Sequence, residues 1–85
     1  MRPMKEHDIV QFKIDSEFEA IDENDNPIGM RIVPKGTKAT IVSDKGISTG
    51  WVTLEFGEEN WKEDWGVYDV LDFLVEELEG VTAND

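Results

Sequence analysis

The sequence predicts a mainly β fold, one small barrel of about five strands finished by a short C-terminal helical turn or helix. Three observations carry this. Apolar and polar residues alternate over short stretches, the period-two pattern of half-buried strands. Turn residues (Gly, Pro, Asn and Asp) separate those stretches at the spacing of small all-β domains. The chain has 85 residues, 39% of them hydrophobic, with three Trp and four Phe. That is material for one modest core and one domain, placed at residues 1–80 with a flexible tail at 81–85.

The first strand is read at Ile9-Val10-Gln11-Phe12-Lys13-Ile14, where Val10, Phe12 and Ile14 share one face. Glu17 to Ile21 alternates more weakly. Asp22-Glu23-Asn24-Asp25-Asn26-Pro27-Ile28-Gly29 has loop composition throughout. Met30 to Val33 leads into Pro34-Lys35-Gly36-Thr37, a tight turn in which Pro fixes φ and Gly accepts a positive φ. Thr37 to Val42 reads as a strand with Ala39 and Ile41 on one face. Ser43 to Gly50 reads as a loop. Trp51-Val52-Thr53-Leu54-Glu55-Phe56 carries the clearest strand signal, rich in β-branched and aromatic residues. Gly57 to Gly66 is an acidic loop, after which Val67 and Tyr68 are expected to return to the sheet. The last stretch, Asp69 to Gly80, supports two readings. Leu71, Leu74, Val75 and Leu78 have helical spacing, with Asp69 as N-cap and Gly80 as stop. One helical turn followed by a closing strand at 73–77 fits the same residues.

The order of these parts resembles small SH3-like barrels of the KOW and DUF4926 type. The resemblance lies in Asp8-Ile9-Val10 as a "D-x-V" strand start and in Pro34 to Val42 as a "P-x-G-T-x-G-T-I-V" hairpin. Val52-Thr53-Leu54-Glu55-Phe56 supplies a "V-x-V-x-F" strand. Asp69-Val70-Leu71 or Asp72-Phe73-Leu74 supplies a "D-L" helical turn before the closing strand. Ala39 stands where that hairpin pattern has its second glycine. The resemblance implies an SH3-like fold and no particular activity, since such barrels variously bind proteins, nucleic acid or other subunits.

Charge narrows the function. Twenty acidic residues face eight basic ones, a formal net charge of −12. Residues 1–43 hold eight acids and six bases; residues 44–85 hold twelve acids and two bases. Phosphate binding requires Lys and Arg to displace counterions, so nucleic acid and anionic membranes are poor partners. Lys35, Lys38 and Lys45 are the one local basic cluster. With no signal-peptide core at the N-terminus and no membrane-length apolar run, a cytoplasmic location is expected, and the absence of Cys fits a reducing compartment without fixing it.

No motif assigns a catalytic, cofactor or metal site. Asp22, Asn24 and Asn26 have the spacing of the first ligands of a calcium loop, but Pro27 and Val33 occupy its required Gly and Glu positions. His7, the one histidine, has neither a ligand set nor a nucleophile motif beside it. The carboxylate pairs Glu58-Glu59, Glu63-Asp64 and Glu76-Glu77 are expected by composition alone. The glycines match no phosphate-binding motif.

The candidate partner-binding set is Trp51, Glu58, Glu59, Trp61, Glu63, Asp64, Trp65 and Tyr68, aromatics among acids in one loop region. Aromatics supply contact area, and acids steer a basic partner. The same tryptophans could equally plug the barrel end. The expected function is non-enzymatic: an interaction module presenting an anionic aromatic surface to a basic protein, as an inhibitor or immunity-like protein would. The alternatives are a structural or regulatory subunit docking on a larger enzyme, and a nucleic-acid-associated KOW-like domain. The sequence leaves the oligomeric state open.

Overall fold

The computed structural model describes residues 4–81. Its strands are β1 (Ile9–Phe12), β2 (Ser16–Ile21), β3 (Pro27–Val33), β4 (Lys38–Ser43), β5 (Trp51–Glu55), β6 (Val70–Leu74) and β7 (Leu78–Gly80). Single 3-10 turns occupy Ile47–Thr49, Glu63–Trp65 and Val75–Glu77. Five strands form one antiparallel sheet in the order β6-β5-β4-β1-β7, and β2 and β3 form a separate hairpin. Among the described residues no ladder joins β6 to β7, so hydrogen bonding leaves the sheet open.

Alternation places the core where the sequence expects it in β4 and β5. Ala39 and Ile41, then Val52, Leu54 and Phe56, are buried together with Val10, Phe12, Phe73 and Leu78. Phe12 is packed edge-on against Phe73, with ring centroids 4.8 Å apart. Such pairs add about 0.5–1.5 kcal/mol beyond area burial. The Pro34 turn forms as read: Thr37 N–H donates to Pro34 C=O at 3.1 Å, and Gly36 takes φ +92°.

Several expectations need correction. The first strand ends at Phe12, and a bend over 13–14 turns Ile14 out to 50% exposure. The hairpin strand begins at Pro27, so the loop shortens to 22–26. Val67 and Tyr68 stay outside the sheet. No α-helix covers Asp69 to Gly80; that stretch is strand, 3-10 turn, strand. The turn falls at Val75–Glu77 and the closing strand at Leu78–Gly80. The β5 ladder decides this, because it pairs Leu54 with Leu71 and Val52 with Phe73 and draws the segment into the sheet. Of the expected tail, residues 82–85 lie outside the described residues. Val81 N–H donates to Ile9 C=O at 2.9 Å. No helix among the described residues is long and apolar enough to cross a membrane.

Candidate functional site

The acidic loop between β5 and β6 is held from below by its own aromatics. Phe56 ends the buried stripe of β5, and the chain then turns, with Asn60 and Trp61 N–H groups donating to Gly57 C=O at 2.9 and 3.0 Å. Trp61 lies half-buried over the core and Trp65 is 4% exposed. The two indoles meet edge to face at 5.1 Å, and both touch Phe18 and Phe56. Trp61 Nε1–H donates to Gly66 C=O at 3.2 Å, which satisfies the indole where it is covered.

Gly66 fixes how this loop meets the hairpin. It takes φ +91°, and a Cβ there would lie 2.5 Å from Ile21 O. The next residue, Val67, donates its N–H to that carbonyl at 3.0 Å. On the other side, Arg31 Nε donates to Asp64 C=O at 2.7 Å and lies 3.7 Å from the Asp64 carboxylate. Tyr68 Oη–H donates to Asp25 Oδ1 at the hairpin tip. This hydrogen bond, and then repulsion between the carboxylate and a phenolate, raise the Tyr68 pKa above its usual 10.0.

The eight sequence-predicted residues therefore divide. Glu58, Glu59, Glu63 and Asp64 are exposed around the loop, with Trp61 beneath them and exposed Tyr68 beyond. Trp65 belongs to the core and presents no contact surface. Trp51 is 44% exposed, so it plugs nothing; it faces outward at the start of β5, across from Leu74. The length of β5, roughly 13 Å, separates it from the loop. The tryptophans thus serve three separate ends.

The remaining sequence candidates resolve into local structure. Asp22 Oδ1 accepts the N–H groups of Asn24 and Asn26 at 2.8 and 3.0 Å, so the calcium-like loop is an Asx turn closing the hairpin. His7 is exposed, with φ +80° and its ring 3.7 Å from Glu6. Among the described residues no group of three or more His, Cys, Asp or Glu is placed to hold a metal. Lys35 and Lys38 flank the start of β4 while Lys45 follows its end, roughly 20 Å away. The basic cluster read from sequence is therefore dispersed. An open cleft of about 220 Å³ lies over Ile9, Lys38, Thr40, Glu55 and Glu59; it is small for a ligand pocket.

Sequence reading missed the outward face of β3. Ile28, Met30 and Ile32 alternate there and are all exposed. The period-two signal was present from residue 28 onward, but it was hidden by the loop composition of 22–29. No protein-family model matches this chain, and no curated protein or solved structure matches it either.

Proposed function

We propose that this protein is a non-enzymatic interaction module of SH3-like architecture that presents its acidic loop face to a basic protein. The strand order supports the architecture: a hairpin inserted between the first two ladder strands, then three antiparallel neighbours, then a single 3-10 turn before a short closing strand beside β1. The observation that carries the function is the setting of Glu58, Glu59, Glu63 and Asp64. Four exposed carboxylates stand on a loop whose backbone is anchored by buried Trp65 and half-buried Trp61. Within 57–66 only Lys62 offsets them, and Arg31 from β3 lies 3.7 Å from the Asp64 carboxylate, which leaves Glu58, Glu59 and Glu63 without an ion-pair partner among the described residues. Anchored charges lose little freedom when a partner arrives, so their attraction is not spent on ordering the loop. An inhibitor or immunity-like protein covering a basic nucleic-acid-binding surface would use such a face.

Affinity capture from a lysate, repeated at low and high salt, tests this. At about 50 mM salt a basic partner is retained; at about 0.5 M retention drops roughly tenfold or more as screening shortens the Debye length. Changing Glu58, Glu59, Glu63 and Asp64 together to Gln produces the same loss at low salt. Capture indifferent to both salt and these changes excludes an electrostatic interface.

A further inference from the structure

The β2–β3 hairpin turns three large apolar side chains of β3 to solvent. The ladder pairs Ser16 with Val33, Phe18 with Arg31 and Ala20 with Gly29, and this is the side with buried Ser16, Phe18, Ala20 and Val33. Ile28, Met30 and Ile32 fall on the opposite side, at 41, 55 and 53% exposure. A single exposed apolar side chain is ordinary; three at alternate positions on one strand form a stripe.

Among the described residues β3 pairs with β2 alone, so that strand is also an edge. The direction of its backbone groups follows from the ladder. Val67 N–H reaches Ile21 C=O from outside the hairpin, so this carbonyl points away from β3. Antiparallel alternation along β2 then directs Glu19 and Glu17 backbone groups the same way, and those of their partners Met30 and Ile32 to the far side of β3. Met30 C=O accepts from Arg31 Nη1 at 3.0 Å. By the same alternation, the N–H of Met30 and both backbone groups of Ile32 lie on the side of β3 that no strand among the described residues pairs with.

The surroundings are acidic. Glu19 and Glu17 stand directly across from Met30 and Ile32 on the same face. The hairpin tip adds Asp22, Glu23 and Asp25, and Arg31, on the other face, is committed to Asp64. A second copy of the chain would bring another formal charge of −12 and another acid-lined stripe to this edge.

We propose that the free edge of β3 takes an extended basic segment of a partner protein as an added strand. Apolar residues of that segment lie beside Met30 and Ile32, its backbone bonds the open groups of Ile32, and its Lys or Arg side chains reach Glu17, Glu19 and the hairpin tip. Main-chain pairing supplies affinity, and alternate side chains supply selectivity. This rests on the reading of the protein as an acidic module for basic partners, and it names where and how such a partner docks.

The test uses the full chain, isotope-labelled for NMR, and a peptide of about seven residues with a central valine, lysine two positions away on either side and threonine elsewhere, so that valine and lysines share one face of a strand of ordinary length. At low salt the peptide shifts amide signals across 27–33 and slows hydrogen exchange at Ile32. The same peptide with proline in place of its central valine binds about tenfold more weakly, because a strand cannot pair through it. Met30→Lys and Ile32→Lys each weaken binding about tenfold, with circular dichroism melts verifying that both fold; Glu19→Gln is a milder second check and weakens it about threefold. Shifts confined to 57–66 overturn the edge site and leave the acidic-module reading standing. Equal binding of the proline peptide overturns strand addition. A concentration-dependent dimer lost in Met30→Lys gives the edge to a second copy and overturns the basic partner. No shifts with either peptide overturn both readings.

Discussion

At the scale of single residues, environment separates side chains that composition treats alike. Tyr68 is exposed, yet its hydroxyl is tied to Asp25 at the hairpin tip. The chain has one tyrosine, so ultraviolet absorbance titration reports this phenol alone. Its pKa is raised in the folded state, so the contact's contribution is fully present below the unfolded value near 10 and is lost as pH rises through the higher folded value. The native protein therefore titrates above 10.0, and Asp25→Asn brings the midpoint back down toward that value. An unchanged midpoint in Asp25→Asn rules out the tether. Residue identity was legible for the aromatics as a group, but their division was not. Trp65 and Trp51 have equally apolar side chains; one closes over Phe18 and Phe56 while the other faces water, because loop and strand place them at different ends of β5.

At the scale of elements, the junction between acidic loop and hairpin depends on Gly66. Its positive φ is unfavourable for an L side chain, and a Cβ would also strike the Ile21 backbone. Gly36 has nearly the same φ, +92°, with nothing within 4 Å of a Cβ. Gly36→Ala therefore costs about 1–2 kcal/mol for conformation alone. Gly66→Ala costs about 3 kcal/mol or more, because backbone must move as well. Urea denaturation of the two variants gives this order; equal losses contradict the close approach at Ile21. The Pro34-Lys35-Gly36-Thr37 turn was legible because its determinants are local. The Gly66 contact was not, since its partner is remote in sequence. The same reason explains the Asp69 to Gly80 segment, whose helical spacing yields to pairing with β5.

For the whole molecule, net charge governs. A formal charge of −12 on a small domain repels itself in the compact state. Among the described residues the salt bridge between fully charged groups is Arg31–Asp64, and the exposed His7–Glu6 contact is one only when the histidine is protonated, so little is lost by screening. Raising salt from about 20 mM to about 0.3 M is therefore expected to raise the melting temperature by several degrees. A fall in Tm shows instead that ion pairing outweighs repulsion. The same charge is why the proposed partner is basic, and it is set by composition before any fold exists.

The sequence alone determined the mainly β class, the buried stripes of β4 and β5, the Pro34 turn and the acidic field, because each depends on neighbours a few residues away or on a simple sum of charges. Tertiary structure decided which tryptophans are core, that the sheet stays open with a separate hairpin, and that Ile28, Met30 and Ile32 face water. Alternation defines two faces of a strand without saying which is inside. Only contacts remote in sequence make that choice: Trp61, Trp65 and Phe73 pack on Phe18, which buries one face of the hairpin and leaves the other bare.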